Sequence, residues 1–339
     1  MTNPYPSHSP GPLVLGVDAG GTRTRALVTT LSGHRLGEAF AEGANPNSHG
    51  TDLASQRLTE AVSGALDRAG PGARRALATT AVGLAGVSAL ADGTVRERMH
   101  LALARAGVEN EAVFTGDDEV AFASGTCAPD GVVLIAGTGA IAARVQERVR
   151  TDVADGLGWL VGDAGSGFWI GHRAARASAR QLMAGHEPGP LTRAVLARAL
   201  PEGQNLAPRE RARALARALT AAPPIDLAQL APLVSRACEQ GDASAAHIVA
   251  RAARHLADSV RSVRESGERT PVVLAGGVLS RSGPVRTALV RELSPEAPVV
   301  TAGCTAGGAA WTAALRAGLS AGDRYTHGVF THPPEHGPG

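Results

Sequence analysis

Two short glycine turns, each placed between two predicted strands, restrict the fold of this chain more than any other feature. The first turn, Asp18-Ala19-Gly20-Gly21-Thr22, follows the aliphatic segment 13–17 and returns as a strand over residues 25–30. The second, Gly137-Thr138-Gly139, follows residues 132–136 and returns over residues 141–146. Neither turn opens a helix with GxGxxG spacing, so a Rossmann dinucleotide site is excluded. The weak internal repeat predicts two related α/β units.

Hydrophobic periodicity extends both turns into larger units. Helical spacing from residue 52 and buried strands at 78–83 and 112–115 complete the first unit, and a mostly helical stretch follows residue 171 in the second. Further predicted elements are a helix at 94–106, a helix at 248–263, a strand at 271–275, a helix from 284, a strand at 298–301 and a close-packed Gly/Ala-rich helix at 305–317. We therefore expect a disordered lead-in at 1–12, domains at 13–120 and 121–320, and a disordered tail at 321–339.

The absence of lysine limits the chemistry available to the chain. All 33 basic residues are arginine, so a Walker A loop, a protein-kinase strand lysine and Schiff-base chemistry are all excluded. Biased nucleotide composition accounts for the absence without any functional cause.

Charge and composition exclude other classes of protein. With a net charge of +2 and 3% aromatic residues, the chain lacks the basic stripe and stacking surface of a nucleic-acid binder. Its aliphatic runs are shorter than the roughly 20 residues of a membrane span, and no signal peptide is recognisable. Three widely separated cysteines indicate neither a disulfide framework nor a zinc site, so we expect a cytoplasmic protein.

The glycine turns have the residue types of a phosphate-binding loop. Glycine lets backbone N–H groups approach phosphate oxygens, and Thr22 and Thr24 add hydroxyl donors. Asp18, at the end of its strand, is a candidate ligand of hydrated Mg²⁺. A single turn of this kind is equally common as an ordinary hairpin connection, but two in one chain favour nucleotide binding.

These motifs resemble those of the actin-like ATPase superfamily of sugar kinases, chaperones and actin. More narrowly, the chain is similar to the N-acetylglucosamine kinase and BadF-type ATPase family. The matching motifs are GVDAGGTRTRALV, VVLIAGTGA and VVLAGGVLSRSG, in collinear order. The resemblance implies an α/β fold of two actin-like (ribonuclease H-like) ATPase domains around a nucleotide cleft, with ATP and Mg²⁺ as cofactors. It places Asp18 at the metal and the following residues at ATP: Gly20, Gly21, Thr22, Arg23, Thr24, Gly137, Thr138, Gly139, Gly276 and Gly277.

The resemblance also implies a catalytic base and a sugar site. Asp117, at the end of the strand AVFTGD, matches the family's base, with Asp118 as its rival; without the family match, either carboxylate could simply cap the next helix. Asn47, Gly158 and Asp163 match positions that bind the sugar, although the last is also a candidate helix cap.

The expected activity is transfer of the γ-phosphate of ATP to the 6-hydroxyl of N-acetylglucosamine. Ala164 and Ile141 stand where relatives carry polar residues near the sugar amide, so free glucosamine remains an alternative substrate. The resemblance also leaves open a BadF-type ATPase activator or a sugar-sensing regulator without kinase activity. The expected partners are ATP and a small amino sugar, with a homodimer left open and no membrane or nucleic acid.

Overall fold

The computed structural model describes residues 11–203, 206–279, 282–320 and 324–332. It is an α/β structure that divides into two compact units. Unit 1 contains the described residues of Met1–Pro129, Glu147–Arg150 and Ala302–Gly339, and unit 2 contains those of Asp130–Gln146 and Thr151–Thr301.

Strands and helices follow one another in groups along the chain. The strands are β1 (Leu13–Ala19), β2 (Arg23–Thr30), β3 (Arg35–Glu42), β4 (Leu77–Leu84), β5 (Ala112–Gly116), β6 (Gly131–Ala136), β7 (Ala140–Gln146), β8 (Val149–Asp155), β9 (Val272–Ala275) and β10 (Val299–Thr301). The helices are α1 (Pro46–His49), α2 (Thr51–Ala69), α3 (Ala73–Ala76), α4 (Gly93–Arg105), α5 (Asp117–Gly125), α6 (Gly167–Met183), α7 (Pro190–Ala199), α8 (Pro208–Ala221), α9 (Ala231–Glu239), α10 (Ala243–Ser262), α11 (Pro284–Leu293), α12 (Thr305–Arg316) and α13 (Arg324–Thr331). Short 3-10 turns lie at Val87–Ala91, Pro201–Gly203 and Pro224–Leu230.

The two sheets have the same strand order. The first sheet runs β3-β2-β1-β4-β5, with β1, β2 and β3 antiparallel and β1, β4 and β5 parallel. The second runs β8-β7-β6-β9-β10, with β6 antiparallel to β7 and parallel to β9, which is parallel to β10. The predicted α/β class and the internal repeat are both confirmed.

Unit 1 is held together by unusually close contacts of α12 with its neighbours. A Cβ at Gly16 of β1 would lie 2.1 Å from the backbone nitrogen of Ala310, and a Cβ at Gly308 would lie 2.4 Å from the carbonyl oxygen of Val120 in α5. Glycine is required at these positions because any side chain would push the backbones apart. The close packing predicted for this Gly/Ala-rich helix is therefore confirmed.

Unit 2 has its own core between the second sheet and its helices. The long helix α10 buries one face that includes Leu256 and Val260, and α6 buries Ile170, Ala174 and Leu182 in the same cluster. The period of about 3.6 residues between these apolar positions is what the sequence showed for α10. This packing fixes the N-terminal end of α6, which begins beside the second glycine turn.

The structure differs from the sequence prediction near the C-terminal end of the chain and at the domain boundary. The prediction of a disordered tail is wrong for residues 324–332, because α13 is a helix with His327 and Phe330 buried. The predicted lead-in falls mainly on residues 1–10, and part of the tail falls on 321–323 and 333–339, all outside the described residues. α12, which the prediction placed in the second domain, groups with unit 1, and unit 1 runs on to Pro129.

The helices in the described ranges include none with the length and hydropathy needed to cross a lipid bilayer.

Candidate active site

In unit 1 the candidate residues gather at one edge of the first sheet. Because β1, β4 and β5 are parallel, their carboxyl ends meet at the same edge, where open α/β sheets bind ligands. Asp18 is the penultimate residue of β1, Gly86 lies two residues after β4, and Asp117 follows β5 directly. The sheet therefore brings together positions that are far apart in the sequence.

Asp18 is a largely buried carboxyl with few protein partners. The hydroxyl of Thr305, the first residue of α12, donates a hydrogen bond to Asp18 Oδ2. Burial raises the pKa of Asp18, and the Thr305 hydrogen bond and the charge of Arg25 oppose that effect. A carboxylate whose negative charge is only partly compensated by the protein is a favourable ligand for a cation.

Asp117 and Asp118 have different surroundings. Burial, together with the charges of Asp118 and Asp18, raises the pKa of Asp117 from its usual 3.8 to about 6. Asp118 is 2% exposed, and its Oδ2 accepts a hydrogen bond from an Arg150 guanidinium nitrogen at 2.9 Å. Asp118 is thus committed to an ion pair, whereas Asp117 has no ion-pair partner among the described residues.

Arg150, the second residue of β8, fixes the start of α5. Its backbone N–H donates to Glu119 Oε1 at 2.8 Å while its guanidinium holds Asp118. The second carboxylate oxygen of Glu119 accepts from the backbone N–H of Gly116 at 2.7 Å. These bonds fix the backbone on both sides of Asp117 without engaging its own carboxylate.

The first glycine turn is a tight connection between β1 and β2. Gly20 N–H donates to the carbonyl oxygen of Arg23 at 3.0 Å, and a His49 ring nitrogen lies 2.8 Å from the carbonyl oxygen of Gly21. Gly21 and Thr22 are exposed, as a phosphate-binding turn requires.

Two predicted residues of this turn have other partners. The hydroxyl of Thr24 is buried and donates to the carbonyl oxygen of Glu42 at 2.8 Å, so it serves the sheet. The guanidinium of Arg23 lies 3.9 Å from the centre of the Phe40 ring. We therefore leave Thr24 out of the phosphate site proposed below.

Asn47 lies at the same edge as Asp18 and Asp117. Its backbone N–H donates to Asn45 Oδ1 at 2.9 Å, which begins α1. A Cβ on Gly86 would lie 2.6 Å from Asn45 Oδ1 and 2.7 Å from Asn47 Nδ2, so both amides pack against the turn after β4. Gly86 has a φ of +74°, and only glycine fits both the conformation and the space.

In unit 2 the second glycine turn is anchored by the start of α6. The carbonyl oxygens of Gly137 and Thr138 accept hydrogen bonds from the backbone N–H groups of Gly167 and Phe168, at 2.8 and 3.1 Å. Ser166 caps α6, its hydroxyl accepting from the N–H of Trp169 at 3.1 Å. The carbonyl groups of the turn are thus held by the helix, and the Thr138 side chain is exposed.

Gly276 and Gly277 follow β9, beside this turn. Gly276 has a φ of +85°, and a Cβ there would lie 2.3 Å from the carbonyl oxygen of Ala136, the last residue of β6. Gly277 is exposed. The close approach of these two strand ends explains why the third motif needs glycine.

Asp163 and Gly158 belong to the loop between β8 and α6. A Cβ on Gly139 would lie 2.6 Å from Asp163 Oδ2, so this carboxylate touches the second glycine turn. Burial and the charge of Asp155 raise the pKa of Asp163, and the backbone N–H groups of Ala140 and Gly158 oppose the rise. The prediction joined Asp163 to the sugar, and the structure places it against the second glycine turn.

The donor set fits a lightly ligated Mg²⁺ better than a closed metal site. Among the described residues, no group of three or more His, Cys, Asp or Glu side chains is arranged to hold a metal ion. Mg²⁺ commonly uses one or two protein carboxylates together with water and substrate phosphates. Asp18, half-buried beside an exposed glycine turn, is a carboxylate of that kind.

Sequence reasoning missed three residues of these sites. Thr305 had a signal, since it follows a strand and opens a helix, but its contact with Asp18 spans 287 positions. Asp155 lies directly before the glycine-rich segment that drew attention. Arg150 lies in an exposed strand without any hydrophobic pattern and gave no signal.

Comparison with known proteins identifies relatives over most of the chain. Residues 15–302 match the model of the BadF/BadG/BcrA/BcrD ATPase family. The N-acetyl-D-glucosamine kinase of Dictyostelium discoideum is 27% identical over 312 residues, covering 86% of this chain and 94% of that enzyme. The N-acetylmuramic acid/N-acetylglucosamine kinase of Clostridium acetobutylicum is 30% identical over 169 residues, or 50% of this chain, and the match spans only 54% of that enzyme.

A solved structure shares the fold. A Chromobacterium violaceum protein, whose crystal structure is described as that of a proposed N-acetylglucosamine kinase, superimposes with a TM-score of 0.69 and 25% identity. The match covers 88% of this chain and 98% of that protein.

Proposed function

We propose that this chain, which belongs to the BadF/BadG/BcrA/BcrD ATPase family, is an ATP-dependent kinase that phosphorylates the 6-hydroxyl of N-acetylglucosamine. The names of its relatives support the substrate class, since two curated relatives and one solved structure are described as kinases of N-acetylglucosamine.

The environment of Asp117 is the observation that carries the proposal. A sugar hydroxyl is a weak nucleophile and needs a base within hydrogen-bond reach as phosphoryl transfer proceeds. Asp117 is a carboxylate without an ion-pair partner among the described residues, at the carboxyl edge of a parallel sheet, and its pKa is raised to about 6. A base with that pKa is mostly ionised at neutral pH and still accepts a proton readily.

The reaction then has a defined balance of atoms. The Asp117 carboxylate accepts the proton of the 6-hydroxyl as that oxygen forms its bond to the γ-phosphorus. The bond from the γ-phosphorus to the bridging oxygen breaks, and ADP leaves with its electron pair. Asp118 cannot replace Asp117 in this scheme, because Arg150 holds its carboxylate.

The charge of the phosphates is met without lysine. Asp18 would hold Mg²⁺, which supplies neutralising charge at the phosphate oxygens when it is bound. The exposed residues Gly21, Thr22 and Thr138 offer backbone N–H groups and threonine hydroxyls, and half-buried Gly139 adds a further N–H. The N–H of Gly137 is not counted, because it donates to the carbonyl oxygen of Gly139. Gly276 and Gly277 support the nucleotide role of unit 2 because they adjoin the second turn.

Free glucosamine is the second candidate substrate. Ile141 packs against the loop between β8 and α6, where its Cδ1 lies only 2.9 Å from the position that a Cβ of Gly156 would occupy. Ala164, in the same loop, has no polar side chain. Both positions lack a group that could hydrogen-bond an N-acetyl amide. Asn47 and Asp163 remain to bind the sugar hydroxyls in either case.

A coupled assay of ADP release tests the function directly. We expect ADP release to depend on N-acetylglucosamine or glucosamine, with little stimulation by plain hexoses, and the 6-phosphate to be identified by mass spectrometry and NMR. ADP release that no sugar stimulates would reject the kinase proposal and leave an ATPase activator or a sugar sensor.

A further inference from the structure

The loop between β8 and α6 is closed by two carboxylates that bond across its base. Asp155 Oδ2 accepts from the backbone N–H of Ala164 at 2.9 Å, and its Oδ1 accepts from the backbone N–H of Asp163. In the other direction, the backbone N–H of Gly158 stabilises the ionised side chain of Asp163. The side chains of Asp155 and Asp163 therefore connect the start of the loop to its end.

Apolar burial adds little to this closure. Backbone hydrogen bonds also act on the loop, from the N–H groups of Val161 and Gly162 to the carbonyl oxygen of Gly158 and from the N–H of Gly156 to the carbonyl oxygen of Ala140. Leu157, Leu160 and Val161 are 70%, 78% and 74% exposed, so they gain almost nothing from burial. Trp159 keeps one ring contact, 5.0 Å between its centre and that of Phe168. A segment with so few buried contacts depends on its hydrogen bonds for a fixed shape.

The backbone is strained at both Asp155 and Asp163. Asp155 has a φ of +63° and Asp163 a φ of +58°, a conformation that residues other than glycine rarely adopt. Gly162 leaves room for the tie, because a Cβ there would lie 2.5 Å from Asp155 Oδ1. Strained residues persist where the surrounding contacts over-determine them.

We propose that Asp155 is a positioning residue whose carboxylate closes the 156–163 loop and thereby presents Asp163 to the acceptor sugar. The proposal rests on the kinase function proposed above. Asp155 itself touches backbone N–H groups and not substrate. The second glycine turn contacts Asp163 only at Gly139 and Ala140 among the described residues, and α6 holds its Gly137 and Thr138 carbonyl oxygens separately, so we expect ATP binding to depend much less on Asp155.

Variants at Asp155 distinguish the effect of losing the carboxylate from the effect of relieving the backbone strain. Asp155→Ala should raise KM for N-acetylglucosamine at least about tenfold, since two hydrogen bonds to a charged acceptor are lost, and should change KM for ATP less than about twofold. Asp155→Asn should be intermediate, because its amide oxygen still accepts and asparagine tolerates positive φ. Asp155→Gly removes the strain together with the carboxylate and should behave like Asp155→Ala.

Amide hydrogen exchange supplies a readout independent of catalysis. The N–H groups of Asp163 and Ala164 should exchange faster in Asp155→Ala, and also in Gly162→Ala, which shifts the Asp155 carboxylate without removing it. Asp152→Ala is the matched control, because Asp152 is exposed on β8 and, among the described residues, accepts only from Val153 N–H. It should leave KM and exchange unchanged.

Failure of this proposal is distinguishable from failure of the kinase function. Wild-type KM in Asp155→Gly, or faster exchange in Asp155→Ala with an unchanged KM for sugar, would overturn the positioning role while the kinase stands. If the wild-type protein phosphorylates no sugar, the kinase function fails. Unchanged exchange in Asp155→Ala would then show that the carboxylate does not close the loop at all.

Discussion

Replacing Asp117 by asparagine should abolish most of the activity and stabilise the protein. As the proposed base, Asp117 accepts the hydroxyl proton, so its loss should lower kcat by about 10²–10⁴ with ATP binding nearly intact. The same carboxylate is disfavoured by burial and by its neighbours Asp118 and Asp18. A neutral asparagine of the same shape escapes that cost.

The size of the stabilisation follows from the raised pKa. The difference between 3.8 and about 6 corresponds to about 3 kcal/mol at 1.36 kcal/mol per pH unit. Above pH 6 the folded chain contains an ionised Asp117 that the unfolded chain tolerates better, so the full cost applies. Between about pH 6 and 3.8 the folded chain binds a proton that the unfolded chain lacks, and the cost disappears. Asp117→Asn should therefore gain about 3 kcal/mol at pH 8 and about half of that at pH 5.

Urea unfolding at these two pH values, together with the ADP-release assay, measures both effects. Glu111→Gln is a control, because Glu111 is an exposed acid just before β5. Asp118→Asn provides the contrast, since removing the partner of Arg150 should destabilise the protein. Turnover within about threefold of wild type in Asp117→Asn, or an equal stability gain at pH 8 and pH 5, would refute the reasoning.

Three further outcomes are expected from the structure. Gly139→Val should weaken ATP binding, measured by calorimetry, because its Cβ would lie 2.6 Å from Asp163 Oδ2; unchanged affinity would count against the second phosphate turn. Gly16→Ala should destabilise unit 1 by about 1–3 kcal/mol or more in urea unfolding, since its Cβ meets the Ala310 backbone, and wild-type stability would contradict the close packing. Burial lowers the pKa of His327, so stability should fall as pH drops below about 6.5, by at most about 1.4 kcal/mol per pH unit, and His327→Gln should lose that dependence.

The local pattern of the sequence predicted most of the sheet elements. Alternation and glycine punctuation located β1, β2, β6 and β7 within a few residues, and the repeat of their order indicated two related units. It did not reveal β8, an edge strand whose first five residues are exposed and which therefore carries no apolar pattern. The repeat itself could have revealed it, because β3 occupies the same place in the first sheet.

Contacts between segments that are distant in the sequence could not be predicted from the local sequence pattern. The sequence could not show that α12 groups with unit 1, since its Gly/Ala composition suits any close packing. It could not separate Asp117 from Asp118 either, because the distinction depends on Arg150, which lies 32 positions beyond Asp118. Thr24 fits a phosphate loop by residue type, yet its hydroxyl is used by the Glu42 carbonyl.

The absence of lysine is easier to understand once these contacts are known. A lysine in a phosphate site supplies a mobile positive charge, whereas the two glycine turns offer backbone N–H groups that secondary structure already holds in place. The second turn shows this most clearly, because α6 binds the carbonyl oxygens of Gly137 and Thr138 and so fixes the peptide planes between them. Preorganised donors need no side-chain ordering when charge develops on the phosphoryl group. Loss of every lysine to biased composition therefore removes no group on which the proposed reaction depends.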